Sequence, residues 1–366
     1  MKLDDLPTPC LVLDRRRLAR NLERMASAVA TLGIALRPHM KTAKSADVAR
    51  LARPDGGGLT VSTIAEAEYF LAHGFADIIL GTAITPQKLD QVARLNAAGG
   101  QIKVVTDDAG MAAAIARHPG AVAALIEIDC GEGRSGLDAD DPLLGPIADQ
   151  LGDRLAGIFA HAGHSYAARD SVTLTAIAMR ERQDAARAAQ RLRDAGHECP
   201  IVSIGSSPTA LIPGDVTGIT EIRPGVYMFG DLFQAEIGTH GRDDIAVTVL
   251  TSVIGRRPAE QRLLIDAGAL ALSRDRSTET TAHDCGFGLV LDAGGEPSLG
   301  ASRIVRVWQE HGLVQLDHGN AEGFAIGSRV RIAPNHTCLT SAAHDRYYVV
   351  DGGDDVVAVW PRIHGW

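Results

Sequence analysis

Short apolar runs alternate with amphipathic helical patterns over the first two thirds of the sequence. Between Leu18 and Leu32 the apolar residues recur at spacings of four and three, which predicts a helix that ends at Gly33. Predicted strands then alternate with mostly helical segments, at 34–37, 60–62, 77–80, 102–106, 124–129, 155–161, 200–204 and 221–229. Because about eight such units are the number that closes a parallel barrel, the sequence predicts an α/β fold with a TIM-type (β/α)8 barrel over residues 14–240.

The pattern changes to β-rich runs after about Gly241. Turn residues separate these runs and no helical period is visible; the runs lie at 246–250, 262–265, 304–308 and 347–350. The apolar run 9–13 is a further strand that precedes the first barrel helix. We therefore predict a second, mainly antiparallel β domain formed by residues 241–366 together with 1–13.

Charge and cysteine content favour a small-molecule partner in the cytoplasm. Lys and Arg number 36 against 45 Asp and Glu, a net charge of 36 − 45 = −9, which disfavours binding to nucleic acid or to acidic membrane surfaces. The five cysteines have no paired spacing, which fits a reducing compartment. No run approaches the roughly 20 apolar residues that span a bilayer, and the N-terminus has no apolar signal region, so we expect neither export nor membrane insertion.

Two predicted barrel loops carry residues suited to a carbonyl group and to a phosphate group. Lys41 follows the first barrel strand, at the end where barrel enzymes build their sites, and a lysine amine can attack a carbonyl. The loop 203–209 has small residues and hydroxyls that can bind a phosphate. Taken alone, Lys41 could be a surface charge, with Lys44 as a competing choice, and the loop a plain turn. Together they match the needs of pyridoxal 5′-phosphate.

A histidine and a cysteine near the C-terminus form a candidate metal site. His336 and Cys338 are separated by one residue, so on a strand their side chains would point to the same face and converge on one ion. The alternative is that Cys338 is a small buried apolar residue. A thiolate ligand favours Zn²⁺ over Mg²⁺ or Mn²⁺, and two protein ligands leave positions open for catalysis.

Seven motifs spread from one end of the chain to the other resemble those of a known family. The family is the D-serine dehydratase and D-threonine aldolase group, fold-type III pyridoxal-phosphate enzymes related to alanine racemase. The motifs are 7–14 (PTPCLVLD), 37–42 (RPHMKT), 127–129 with 133–136 (EID and GRSG), 161–166 (HAGHSY), 205–209 (GSSPT), 223–227 (RPGVY) and 334–338 (PNHTC). Many relatives have a histidine where this chain has Ala43.

Carried over residue by residue, the resemblance implies that Lys41 binds the cofactor aldehyde and removes the α-proton, with His39 as the other catalytic residue. It implies further cofactor contacts: Gly205, Ser206, Ser207, Gly225 and Tyr227 at the phosphate, Arg134 at the phenolic oxygen, His164 and Tyr166 beside the pyridine ring, and Arg223 at the ring nitrogen. Two alternatives stay open, a rim salt bridge for Arg134 and core packing for Tyr166. The resemblance also implies a metal held by His336 and Cys338.

The resemblance favours a dehydratase, because aldolases of the group tend to have an aspartate where Cys338 stands. We expect a D-configured β-hydroxy amino acid such as D-serine or 3-hydroxyaspartate to give a 2-oxo acid and ammonia; Arg346 leaves room for a second carboxylate. The alternatives are cleavage to glycine and an aldehyde, racemisation without a metal, and non-catalytic binding of pyridoxal phosphate. The family also implies a homodimer.

Overall fold

The computed structural model describes residues 1–366, which form seventeen strands and eleven α-helices. The strands in chain order are β1 Cys10–Asp14, β2 Ala35–Leu36, β3 Leu59–Val61, β4 Asp77–Ala83, β5 Gln101–Thr106, β6 Ala123–Ile128, β7 Leu155–Ala160, β8 Ile201–Ile204, β9 Glu221–Ile222, β10 Val247–Arg257, β11 Arg262–Ile265, β12 Leu289–Leu291, β13 Arg303–Val307, β14 Gly312–Gln315, β15 Arg329–Ala333, β16 Arg346–Val350 and β17 Val356–Pro361. The helices are α1 Arg15–Leu32, α2 Ala46–Ala52, α3 Ile64–Ala72, α4 Leu89–Ala97, α5 Ala109–Arg117, α6 Leu144–Leu151, α7 Ser171–Asp194, α8 Ser207–Ala210, α9 Leu232–Glu236, α10 Ala269–Leu272 and α11 Thr337–Ser341. None of the helices combines the length and the apolar character that crossing a membrane requires.

Eight parallel strands form the predicted barrel sheet, in the order β2-β9-β8-β7-β6-β5-β4-β3. The ring closes next to β2, where the segment that follows this strand pairs with β3. Thr60 N donates to Pro38 O at 2.9 Å, and Met40 N donates to Thr60 O at 2.8 Å. This closure fixes the backbone immediately before Lys41.

Apolar side chains and one close backbone approach hold the barrel strands together. A buried cluster contains Ile79, Val105, Leu125 and Phe159, which lie on four successive strands of the sheet. At Gly157 (φ +138°) an added Cβ would lie 1.9 Å from the Ile201 carbonyl oxygen of β8. The pairing of β7 with β8 therefore requires glycine here.

A nine-stranded sheet forms the other, mainly antiparallel part, in the order β11-β14-β13-β12-β15-β10-β1-β16-β17. Strand β1 lies inside this sheet, antiparallel to β10 and parallel to β16, as its apolar sequence predicts for a buried strand. Its side chains enter a cluster with residues from both chain ends, made of Leu3, Leu6, Cys10, Val12, Leu250 and Val350.

The prediction of a strand over 221–229 was wrong beyond its first two residues. Strand β9 ends at Ile222, and Val226–Met228 forms a 3-10 turn. Pro224 has no N–H to continue a strand, and its carbonyl accepts a 2.9 Å bond from His39 N instead. The chain after β9 also contains α9, α10 and α11, which are four or five residues long and too short to show a helical period.

The chain divides into two compact units that do not follow the chain as two simple blocks. One unit comprises Met1–Glu23, Thr42–Asp47 and Val226–Gly365, and the other comprises Arg24–Lys41, Val48–Gly225 and Trp366. The sequence-based division into 14–240 and 241–366 with 1–13 differs from these bounds at 14–23, 42–47, 226–240 and 366. The short segment 42–47 is thus assigned to a different unit from Lys41, which precedes it in sequence.

Candidate active site and metal-binding pair

A cavity of about 370 Å³ opens at the C-terminal ends of the barrel strands, where barrel enzymes place their sites. The residues that line it stand at the ends of strands or in the loops that follow, and are His39, Lys41, Ser62, Gly81, Thr82, Ala83, Glu127, Arg134, Ser135, Phe159, His161, Gly205 and Arg223. Five of the residues predicted from the sequence line this cavity: Lys41, His39, Arg134, Gly205 and Arg223.

Next to Lys41, His39 is a neutral imidazole of defined tautomer. Burial lowers the pKa of His39 well below 6.5, and the charges of Lys41 and Arg223 lower it further. Its Nδ1 accepts a long hydrogen bond of 3.4 Å from Lys41 N. The proton therefore lies on Nε2, so His39 is a hydrogen-bond donor through that atom.

His161 lines the cavity but was given no role from the sequence, although it ends a predicted strand and begins the motif 161–166. Burial, and then the charge of Lys41, lowers its pKa to about 3. Nδ1 lies 2.9 Å from the Gly205 carbonyl oxygen, so in the neutral ring Nδ1 carries the proton and donates it there. The Nε2 lone pair remains as an acceptor.

The loop after β8 has the features of a phosphate cradle. Gly205 (φ +122°) could not carry a Cβ, which would lie 2.6 Å from Ile222 Cγ1 and 2.9 Å from Arg223 N. Ser206 Oγ caps α8 by accepting from Thr209 N, and it also contacts Ser165 Oγ at 2.8 Å. The Ser207 hydroxyl is buried with no hydrogen-bond partner. A buried unpartnered hydroxyl costs free energy, and a bound phosphate oxygen would satisfy it, so these residues fit the cofactor.

Glu181 of α7 braces the same loop and was missed in the sequence, where it stands among the polar residues of a long helix. Its side chain is buried, and Oε1 accepts from Ala162 N and from Gly205 N, each at 2.9 Å. Burial raises the pKa of Glu181, while its hydrogen bonds act in the opposite direction. One carboxylate thus joins the loops that follow β7 and β8.

Arg223 is a buried cation supported from three sides. Nη1 donates to Ser203 Oγ at 2.6 Å, Nη2 donates to Ala160 O at 2.5 Å, and the guanidinium carbon lies 3.7 Å from the centre of the Phe159 ring. Burial lowers the pKa of Arg223 to about 10, so the group stays charged at neutral pH. Because these contacts hold the guanidinium in position, it could also contact an electron-rich atom of a bound cofactor.

Arg134 stands at the rim of the cavity, with half of its side chain exposed. Its guanidinium lies 3.6 Å from Glu127 Oε1 and 3.6 Å from Glu132 Oε2, which are the ion pairs of a rim arginine. Ser135 Oγ donates to Glu127 at 2.9 Å, and burial raises the pKa of Glu127. The rim salt bridge does not remove Arg134 from the cavity, because Arg134 and its partner Glu127 both line it.

The remaining predicted cofactor contacts lie in the loops around the barrel mouth or elsewhere. His164 and Tyr166 belong to the 3-10 turn Gly163–Ala167 after β7; His164 Nδ1 is buried without a partner, and Tyr166 Oη accepts from Ser207 N at 3.4 Å. A Cβ on Gly225 would lie 2.9 Å from the His39 carbonyl oxygen. Tyr227 belongs to the other compact unit, where it is buried and its carbonyl lies 2.9 Å from His240 Nε2.

His336 and Cys338 do not lie on a strand, so that part of the prediction was wrong. Strand β15 ends at Ala333; His336 is the N-cap residue of α11, and Cys338 lies in the first turn of this helix. The helix starts here because Asp231 Oδ2 accepts from Thr337 N at 3.0 Å, a contact 106 residues away in sequence. The two side chains still interact, through the first turn of a helix rather than the face of a strand.

Each of the two candidate ligands contacts one further polar side chain. His336 Nδ1 lies 3.1 Å from Asp275 Oδ2, and Cys338 Sγ lies 3.1 Å from Thr42 Oγ1. Burial lowers the pKa of His336, but its contacts with Asp275 and Cys338 outweigh burial and raise this pKa to about 11.

Within residues 1–366 no three His, Cys, Asp or Glu side chains are arranged to hold a metal ion together. The pair of one imidazole and one thiol could supply two ligands to an ion. Such a donor set fits a borderline-soft divalent ion in an open site.

Ala43, where many relatives have a histidine, is buried and carries no functional side chain. Its carbonyl accepts from Tyr347 Oη at 2.8 Å and from Arg362 Nε at 3.4 Å. Arg362 also donates to Thr42 O at 3.3 Å, to His344 O at 2.7 Å and to Ser341 O. One arginine near the C-terminus thus binds both the segment 42–43 and the residues that end α11.

Comparison with known proteins gives matches along the whole chain. The alanine racemase N-terminal domain family matches residues 13–232, and the putative serine dehydratase domain family matches 246–350. D-threo-3-hydroxyaspartate dehydratase of Delftia sp. (strain HT23) is 42% identical over 99% of this chain and 98% of its own length. D-serine dehydratase of Dictyostelium discoideum is 30% identical, over 97% of this chain and 96% of its own. D-threonine aldolase of Arthrobacter sp. is 29% identical, over 94% and 89%.

The solved structure of the Delftia dehydratase superposes with a TM-score of 0.94 at 40% identity and covers 100% of both chains. Two further structures of D-threo-3-hydroxyaspartate dehydratase are single-residue variants, one with a histidine and one with a cysteine replaced by alanine, and the cysteine variant is in a metal-free form. The chain therefore belongs to the family of pyridoxal-phosphate-dependent, metal-binding lyases that includes D-threo-3-hydroxyaspartate dehydratase and D-serine dehydratase.

Proposed function

We propose that this protein is a dehydratase that removes water from D-configured β-hydroxy amino acids, D-serine or 3-hydroxyaspartate, and yields a 2-oxo acid and ammonia. The observation that carries the proposal is the pair of His336 and Cys338 in a chain 42% identical over its whole length to D-threo-3-hydroxyaspartate dehydratase. The aldolase relative is more distant, at 29%. Aldolases of the family also tend to have an aspartate in place of the cysteine.

Elimination of water needs a group that takes the α-proton and a place for the electrons it leaves. Pyridoxal phosphate, when bound, supplies the electron sink. Lys41 Nζ is the group we assign to the cofactor aldehyde and to the α-proton, because it lines the cavity at the strand ends. His39 and His161 line the same cavity and are neutral, so each can exchange a hydrogen bond there without adding a charge.

The other predicted contacts would bind and orient the cofactor in this proposal. The unpartnered Ser207 hydroxyl and the Gly205 backbone would hold the phosphate, and the family resemblance adds Ser206, Gly225 and Tyr227 to these contacts. Arg223 and Arg134, which line the cavity, would contact the ring nitrogen and the phenolic oxygen, and His164, whose Nδ1 is buried without a partner, would contact the ring.

The departing hydroxyl group is a poor leaving group in neutral water, and a divalent metal ion, when bound, supplies a Lewis acid for it. We assign this ion to His336 and Cys338. The two replaced residues in the D-threo-3-hydroxyaspartate dehydratase variants are a histidine and a cysteine two positions apart, the same spacing as in this chain. We propose Zn²⁺ as the ion, because a thiolate ligand favours it over Mn²⁺ or Mg²⁺.

Product analysis tests the proposed reaction. The protein, loaded with pyridoxal phosphate and Zn²⁺, is incubated with D-serine, D-threonine and both 3-hydroxyaspartate diastereomers. We expect ammonia and a 2-oxo acid from D-serine or from one 3-hydroxyaspartate. Glycine with an aldehyde as the main products would replace dehydration by aldol cleavage, and no turnover of any substrate would favour a protein that only binds the cofactor.

We also propose that the protein acts as a cytoplasmic homodimer on a small-molecule substrate. All five cysteines are free thiols, which supports a reducing compartment. The dimer follows from the family resemblance, and light scattering of the purified protein measures it: a mass near twice the chain mass of 38.6 kDa is expected, and a mass near 38.6 kDa would contradict it.

A further inference from the structure

The segment that carries Asp275 has an unusual backbone next to the candidate metal ligand His336. Ser273 follows α10 with φ +70°, a conformation that costs free energy for a residue with a side chain. Ser273 N donates to Ala269 O at 2.9 Å, and Asp275 N lies 3.2 Å from Ser273 Oγ. The chain therefore leaves the helix in a defined direction that brings Asp275 toward His336.

The two carboxylate oxygens of Asp275 have separate partners. Oδ1 accepts from Ser277 N at 2.6 Å and also from the Ser277 hydroxyl. Oδ2 lies 3.1 Å from His336 Nδ1, across 61 residues of sequence. Asp275 is 17% exposed in its side chain and His336 is 33% exposed, so water competes only weakly for this contact. One oxygen thus holds the turn, and the other holds the imidazole.

We infer that Asp275 is a positioning residue that decides which nitrogen of His336 binds the metal, an inference that rests on the metal site of the proposed function. A carboxylate can only accept, so it keeps the His336 proton on Nδ1. Nε2 is then the nitrogen left for the metal, which takes the place of the proton on that atom. Outer hydrogen bonds of this kind fix the tautomer and ring orientation of a ligand, and their loss costs roughly 10- to 100-fold in metal affinity.

A merely structural role in the turn is the competing explanation, and the substitution Asp275→Asn separates the two. Ser277 N can only donate, so it keeps the carbonyl oxygen of the new amide side chain on the turn side. The amide N–H groups would then face His336 Nδ1, favour the tautomer protonated on Nε2, and block the metal position. In Asp275→Ala the turn bond is lost, but the imidazole is free to adopt either tautomer.

The experiment measures the dissociation constant of Zn²⁺ by competition with a chromophoric chelator on the full chain loaded with pyridoxal phosphate. We expect Asp275→Asn to weaken binding at least ~10-fold and at least as much as Asp275→Ala does. Asp284→Asn is the matched control: this carboxylate pairs with Arg276 at 2.7 Å and accepts from Gly286 N, and it contacts neither His336 nor Cys338, so zinc affinity should not change. Thermal unfolding of each variant checks the fold.

Nitrogen NMR of the zinc-loaded protein with ¹⁵N-labelled histidine gives a second readout. We expect the His336 signal to show a protonated Nδ1 and a metal-bound Nε2; a metal-bound Nδ1 would overturn the inference. The inference would also be wrong if Asp275→Asn bound Zn²⁺ as tightly as the wild type, or clearly more tightly than Asp275→Ala. His336→Ala identifies the signal and separates the two hypotheses: if it left zinc affinity unchanged, the metal site of the proposed function would fail first.

Discussion

The barrel cavity and the pair of His336 and Cys338 are positioned by different means. The cavity residues stand at the ends of parallel strands, and buried polar groups such as Glu181 and Arg223 hold their loops through backbone hydrogen bonds. The metal pair stands at the start of a five-residue helix and depends on single side chains that are distant in sequence, Asp275 and Thr42. We therefore expect the barrel cavity to tolerate substitutions around its rim. The pair of His336 and Cys338 should instead be sensitive to the loss of either Asp275 or Thr42.

The largest effect is expected from Lys41→Ala, which removes the group assigned to the cofactor and to the α-proton. We expect the turnover number to fall at least ~10³-fold, together with loss of the absorption band of lysine-bound cofactor. The control is Lys44→Asn, because Lys44 has φ +49° and asparagine tolerates this conformation. If Lys44→Asn lost activity and Lys41→Ala kept it, the assignment of the lysine would be wrong.

Replacement of Cys338 tests the second region, with an effect expected to be on the order of 10²-fold on formation of the 2-oxo acid. Cys338→Asp exchanges a soft ligand for a hard one, and we expect glycine to rise as a share of the products from D-threonine. Cys338→Ser and removal of the metal by a chelator serve as comparisons, since both weaken the site without adding a carboxylate. An unchanged rate and product ratio in Cys338→Asp would remove the reason for ranking dehydration above cleavage.

Glu181 holds two of the loops around the cavity, and its substitution tests how much this support contributes to cofactor binding. Glu181→Ala removes the acceptor of two backbone N–H groups, each bond being worth roughly 1.5–3 kcal/mol when the acceptor is charged. We expect a loss of roughly 10- to 100-fold in affinity for pyridoxal phosphate, measured by fluorescence titration. Glu181→Gln keeps an oxygen at Oε1, so it should lie much closer to the wild type. Equal losses in both variants would show that the charge, and not the two bonds, matters.

A pH titration gives the smallest effect. The pKa of His161 is lowered to about 3 in the folded chain, first by burial, while in the unfolded chain it is near 6.5. The unfolded chain therefore binds the extra proton, and stability that is present above pH 6.5 is lost as the pH falls below this value. One such group contributes about 1.4 kcal/mol per pH unit to the free energy of unfolding.

Denaturant unfolding between pH 6.5 and 4.5 measures how the free energy of unfolding changes with pH. Most carboxylates titrate below this range, so they contribute little to the change. His161→Gln keeps a donor for the Gly205 carbonyl and should reduce the number of protons taken up on unfolding by about one. His39→Asn should reduce this number as well, since burial also lowers the pKa of His39. A slope unaffected by His161→Gln would mean that this imidazole does not become charged on unfolding.

The sequence predicted most of the barrel because its strands are short apolar runs whose pattern is local. Predicted strands such as 77–80 and 155–161 fall within a few residues of β4 and β7. The prediction failed at 221–229, where Pro224 ends the strand, and at His336 and Cys338, where a contact from Asp231 starts a helix. Both failures come from interactions that a local pattern does not contain.

The residues that line the cavity were predicted better than those that support it. Lys41 and Arg223 belong to motifs that mark the ends of strands, so their position follows from the barrel topology. Glu181 and Asp275 look like ordinary surface carboxylates in the sequence, because nothing local shows that a helix face is buried or that a turn reaches a distant histidine. Finding them required the fold.

The contacts of Arg362 connect the last few residues of the chain to two segments that carry predicted site residues. This side chain fixes the backbone of Thr42, which follows Lys41 in sequence, and the carbonyls of Ser341 and His344 that close the helix bearing Cys338. Removing the last five residues would therefore be expected to disturb both of these segments at once.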